Sequence, residues 1–241
     1  MKSCKKNKTV LLLLFFMPLS AFCQHSIKKV YLFPGQGSDE RIFSNITLGT
    51  TYELVPIAYP VPAKKTSLHE YAGMLAAQID TTCKFALIGV SFGGMLCTEL
   101  AEIVSPEKVI IISSAKCRSE LPRRYTVMKK YPAYRLYPKK FVKFGTMLLQ
   151  PTVEKGLKNE KDFFKDMLQK KDPQFLKETS TMMINWERET YPANIIHIHG
   201  SDDHVLNIKN IKADYIIVNG THIMTYERGR EISEIIGKVL Q

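Results

Sequence analysis

The residues best placed to do chemistry lie just after apolar runs that read as strands. Ser91 sits in Gly89-Val90-Ser91-Phe92-Gly93, between the apolar run Lys84 to Gly89 and a helical pattern that starts at Met95. A serine on a sharp strand-to-helix turn is exposed and aimed outward, and glycines two positions to either side keep neighbouring backbone clear of it. The helix N-terminus behind it favours developing negative charge. That is what a nucleophile in acyl transfer requires. The five-residue pattern alone arises by chance, and its strand–turn–helix setting makes it specific. Such a serine needs a base, and His222 follows the last apolar run in Gly220-Thr221-His222. The base needs a carboxylate to fix its tautomer, and His199-Gly200-Ser201-Asp202-Asp203 offers two within reach, Asp202 and Asp203. The oxyanion of a tetrahedral intermediate needs backbone N–H donors. Phe92 supplies one. Gln36, in Phe33-Pro34-Gly35-Gln36-Gly37, supplies the other, with glycines around it that let substrate approach.

A metal-dependent alternative centres on His197, His199, Asp202, Asp203 and His204, because histidine and carboxylate clusters bind zinc. The His-x-His-x-Asp-His motif of metallo-β-lactamase-like hydrolases needs Asp at position 201 and His at 202, where Ser201 and Asp202 stand. His197 and His199 also alternate as residues on one buried face of a strand do. The residues therefore imply neither a metal nor an organic cofactor.

The elements that must position these groups alternate. Lys28 to Phe33, Tyr52 to Ile57, Lys84 to Gly89, Lys108 to Ile112, Asn194 to Ile198 and Tyr215 to Val218 read as strands. Their continuous apolar character is that of strands buried on both faces of a parallel sheet. Ser67 to Ile79 reads as a helix opened by a Ser67/Glu70 capping box. A last helix carries Ile232, Ile235, Ile236 and Val239 on one face. Strands alternating with helices predict an α/β class with a mostly parallel sheet, and ligands of such sheets bind beyond the carboxyl ends of the strands. Residues 116–190 break the alternation. They hold helix-like pieces such as 160–171 between prolines, and read as a helical cap inserted between core segments 24–115 and 191–241.

In this order and spacing, the four segments resemble the α/β-hydrolase family, and the resemblance covers nearly all of residues 28–240. It implies a compact six-stranded α/β-hydrolase fold with a helical cap and a Ser91–Asp203–His222 triad. Asp203 is singled out here because the family's acid commonly falls at the Asp of His-Gly-x-x-Asp. Pro34 stands where the family often has His-Gly after the first strand, so any role of that histidine is absent. The implied reaction is hydrolysis of a carboxylester-like bond through an acyl-enzyme. Thioesterase, lactonase or amidase action on the same triad, or a non-catalytic ligand-binding protein of this fold, are the alternatives.

Charge and export bear on partners. The formal net charge is +11 over 241 residues. Residues 116–190 carry 18 Lys or Arg against 9 Asp or Glu. The basicity belongs to the cap, whose Lys and Arg interleave with tyrosines. A solvated lid is the simpler reading, and attraction of an anionic or lipid-like partner is the functional one. No motif supports nucleic-acid binding. Residues 1–23 have a basic start (Lys2, Lys5, Lys6, Lys8), an apolar run from Val10 to Phe16 and small residues before Cys23. That is the anatomy of a signal peptide cleaved after Cys23, predicting an exported protein. The alternatives are an uncleaved anchor or a lipoprotein acylated at Cys23, the latter disfavoured by bulky Phe22. Cys83, Cys97 and Cys117 then remain and are expected to be buried thiols.

Overall fold

A computed structural model describes residues 26–153 and 161–241; the expected signal peptide lies outside the described residues. Six strands form a single sheet in the order β2-β1-β3-β4-β5-β6: β1 Lys29–Phe33, β2 Glu53–Pro56, β3 Phe85–Val90, β4 Lys108–Ile112, β5 Ile195–Gly200 and β6 Tyr215–Ile217. Every pairing is parallel. Parallel neighbours require crossovers, and the helices α1 Leu68–Ala76, α2 Phe92–Ile103, α7 Met224–Glu227 and α8 Gly229–Leu240 cover the faces.

The apolar runs explain the layering. Alternate residues of one strand point to opposite faces. Tyr31, Phe33, Leu87, Val109 and Ile111 pack into one core with α1 and α2, whereas Val30, Leu32, Ile88, Ile110 and Ile112 pack into a second with α8. All six residues of β3 are buried, so the strand leading to Ser91 is held from both sides. The chain steps from β1 out to β2 and then crosses back to β3 on the other side of β1, so connections leave β1 and β3 in opposite directions and a crevice opens between their carboxyl ends, the usual ligand site of such sheets.

The capping box forms as expected: Ser67 Oγ accepts from the Glu70 amide and the Glu70 carboxylate accepts from the Ser67 amide. Other boundaries differ from the sequence reading. Helix α2 starts at Phe92, three residues before Met95, although Gly93 and Gly94 are poor helix formers. Packing requires them, because a Cβ on Gly93 would lie 2.0 Å from the Phe33 carbonyl oxygen. Strand β5 runs two residues past Ile198, since His199 and Gly200 continue the ladder to β6. Cys83 is exposed, contrary to expectation, because it lies in the turn before β3 rather than in the strand; Cys97 and Cys117 are buried, and all three are free thiols.

Between β4 and β5 lie α3 Arg123–Lys130, α4 Lys139–Val153, α5 Lys161–Gln169 and α6 Pro173–Asn185, with no strand among the described residues. The piece expected at 160–171 is α5. Helix α6 begins on Asp172, whose side chain accepts from the amides of Gln174 and Phe175, with Pro173 in the first turn.

Candidate active site

Ser91 follows β3 directly and adopts φ 54°, ψ −118°, a backbone conformation that L-residues rarely hold. The turn is held by its surroundings. The Ser91 amide donates to Ile112 O, and Ser91 O accepts from the Ser114 hydroxyl at 2.6 Å. Gly89 and Gly93 make the turn sterically feasible, since a Cβ on Gly89 would sit 2.4 Å from Gly93 O.

His222 and Asp203 reach the serine from the ends of β6 and β5. These ends cross closely: a Cβ on Gly200 would lie 2.1 Å from Gly220 O, so only glycine at 200 allows the two loops to meet. The Asp202 amide donating to Gly220 O and the Asn219 amide donating to Ser201 Oγ fasten one loop to the other. A Thr221 hydroxyl bonded to Glu227 braces the histidine loop.

The three side chains form one hydrogen-bonded chain. His222 Nδ1 lies 2.8 Å from Asp203 Oδ2, and His222 Nε2 lies 3.0 Å from Ser91 Oγ. An ionised carboxylate only accepts, so Nδ1 carries the proton and Nε2 is left to accept from the serine hydroxyl. Asp203 is buried, and its other oxygen accepts from the amides of Val205 and Leu206. Burial pushes its carboxyl pKa up, but His222 and the Leu206 amide outweigh that, and it lies below the ordinary carboxylate value. Asp202, the other candidate, faces solvent and pairs with His204 at 3.1 Å.

Of the two expected oxyanion donors, Gln36 lines the same cavity as Ser91, and Phe92 follows Ser91 in the chain. Phe92, as the first residue of α2, has an N–H without an intrahelical acceptor. Residues 35–38 form a tight turn closed by the Ser38 amide on Gly35 O, a bond that leaves the Gln36 amide unused. Gln36 and Ser91 line one cavity of about 190 Å³ together with His222, Ile42, Phe164 and Met183. The lining is mainly apolar and includes no lysine or arginine. A larger groove of about 1000 Å³ between Lys64–His69 and the end of α6, lined by many charged residues, contains neither Ser91 nor His222.

Three contributors were not found from the sequence. His199 stands behind the acid, with Nε2 2.8 Å from Leu206 O and 3.5 Å from Asp203 Oδ2. Its Nδ1 lies 3.2 Å from His197 Nε2, so two of the three histidines of the rejected metal reading bond to each other. The Gln36 side chain reaches α6, where its Nε2 lies 2.9 Å from Leu176 O and 2.8 Å from the hydroxyls of both Thr179 and Ser180, three acceptors sharing its two N–H groups. Tyr125 of α3, Leu168 of α5 and Met183 of α6 line the cavity as well. Strand alternation could flag the histidines as buried, but nothing in the sequence ties residue 36 to residue 179. Among the described residues, no group of three His, Cys, Asp or Glu side chains is disposed to hold a metal.

Neither a protein-family model nor a curated protein sequence matches this chain. Solved structures do. An enol-lactonase from Burkholderia xenovorans LB400 superposes with a TM-score of 0.69 at 13% identity, covering 89% of this chain and 92% of that one. A hydrolase from Pseudomonas aeruginosa PA01 gives 0.65 at 13% identity, with 89% and 90% covered. A thermophilic esterase from Thermogutta terrifontis gives 0.61 at 14% identity, with 90% and 92% covered. These neighbours are α/β-hydrolases, and the protein has the α/β-hydrolase fold.

Proposed function

We propose that the protein is a serine hydrolase that cleaves a carboxylester-like bond in a small molecule. The observation that carries this reading is the hydrogen-bonded chain Ser91–His222–Asp203 opening onto an apolar cavity. His222 Nε2 takes the Ser91 proton as Oγ bonds to the acyl carbon, and the resulting oxyanion is held by the amides of Gln36 and Phe92. The tetrahedral species collapses, the carbon–oxygen bond to the leaving group breaks, and His222 returns the proton to the departing alcohol. Water then attacks the acyl-enzyme, His222 takes its proton, and Ser91 is released with the acid. Asp203 holds the imidazole in the required tautomer and balances its charge.

The cavity's size and uncharged lining favour a short, neutral acyl or alcohol group at the reacting centre. The esterases and the enol-lactonase of the same fold favour ester chemistry over amide chemistry. The export signal expected in residues 1–23 supports a substrate outside the cytoplasm over carrier-protein thioesters. The test is covalent labelling. A fluorophosphonate probe is expected to modify folded protein at Ser91 and to leave Ser91→Ala unmodified, with turnover of short acyl esters abolished and the melting temperature kept. Folded wild-type protein that resists the probe sinks the proposal.

A further inference from the structure

Half of the large hydrophobic side chains left exposed among the described residues fall within residues 127–144. Leu136 is 85% exposed, and Tyr137, Phe141 and Phe144 are each at least half exposed. The last three form a continuous aromatic ridge at the start of α4, with ring centroids 6.0 and 6.4 Å apart. Lys139 and Lys140 are exposed beside it, and the Lys130 ammonium lies over the exposed ring of Tyr131. Residues 121–153 contain eight Lys or Arg and no Asp or Glu. None of the ridge residues lines the cavity at Ser91.

An exposed apolar ridge calls for a partner, and the charge around it selects which. A second copy docking by the same face would set Lys139 and Lys140 against their own copies in a segment that has no Asp or Glu, which repels. A surface carrying negative charge and accepting aromatic rings satisfies both features. The rings sit at the headgroup boundary, and lysine stems lie along apolar surface while their ammonium groups meet anionic headgroups. We propose that this face of the α3–α4 segment docks on an anionic lipid bilayer. The inference is independent of whether Ser91 is a nucleophile.

The test is sedimentation of the purified protein with vesicles of phosphatidylcholine, with and without phosphatidylglycerol. Binding is expected only with phosphatidylglycerol, and is expected to weaken as salt screens the surface. Each lysine near an anionic surface strengthens binding about fivefold, so Lys139→Glu/Lys140→Glu is expected to weaken it by at least about tenfold. Phe141→Ser/Phe144→Ser is expected to do the same, with the melting temperature unchanged in both variants. No vesicle binding overturns the proposal. So does full binding by both variants, which hands attachment to another segment, or by the phenylalanine variant alone, which reduces the face to a polyanion site. A stable dimer that Phe141→Ser/Phe144→Ser dissociates overturns it in favour of self-association.

Discussion

Asp202 and Asp203 are adjacent and chemically identical, yet they occupy opposite environments. Asp203 is enclosed, accepts two amides and faces His222 Nδ1, whereas Asp202 is half exposed against His204. The depressed pKa of Asp203 keeps it ionised through the neutral range, so it can balance an imidazolium. Replacing it by asparagine removes the charge and presents an N–H₂ or amide oxygen to Nδ1, which unsettles the tautomer. Asp203→Asn is therefore expected to lower kcat on short esters by about 10³- to 10⁴-fold. Asp202→Asn is expected to change it only a few-fold, and the opposite ranking would move the acid to Asp202.

At the scale of elements, the loop after β1 is tied to α6 by a single side chain. Gln36 Nε2 lies on three acceptors of that helix, and Thr179, one of them, is fully buried. The same residue offers its amide to the proposed oxyanion, so the position of α6 sets where that amide points. Gln36→Leu is expected to lower kcat by on the order of tenfold with KM less affected, because orientation rather than ground-state binding is lost. Steady-state kinetics and the rate of Ser91 labelling check it, and a change confined to KM counts against it.

Strand β5 carries a second prediction. His197 and His199 are buried, and desolvation holds both pKa values below the ordinary histidine value, helped for His197 by neighbouring His199 and Lys116. For His199, Asp203 and Leu206 O pull the other way, but burial wins. The unfolded chain takes up protons near pH 6.5 while the folded pair stays neutral until lower pH. Folding stability is therefore expected to fall as pH drops below about 6.5, by up to about 1.4 kcal/mol per pH unit for each histidine. Urea unfolding between neutral and mildly acidic pH is expected to give a shallower slope for His197→Phe than for wild type.

Across the whole molecule, the chain leaving α6 is fastened to α2 by a charge cluster centred on Arg188 and the buried Glu99. Arg188 donates to Glu99 and Glu102, and Glu99 also accepts from Trp186 Nε1 and pairs with His69. Burial raises the Glu99 pKa, but Arg188, Trp186 and His69 bring it below the ordinary value, so it stays charged within the core. Arg188→Met would leave that carboxylate short of its main partner. A stability loss of about 3 kcal/mol in chemical denaturation is expected, and a loss near zero would mean that water or His69 compensates.

The sheet, the helix cap at Ser67, the Ser91 turn and His222 were legible in the sequence because each is local: a run of apolar residues, a capping pair, or a glycine-flanked residue at a strand end. The choice of Asp203 came only through resemblance, since two adjacent carboxylates on one loop have no local distinction. Tertiary structure separated them by turning one toward His222 and the other to solvent. The link between Gln36 and Thr179 and the place of His199 behind the acid were likewise decided by packing between distant segments. The basic excess of residues 116–190 was countable from composition. That Tyr137, Phe141 and Phe144 stand outside the core beside it depends on which face of α4 the rest of the fold covers, and periodicity in one helix does not record what packs against it.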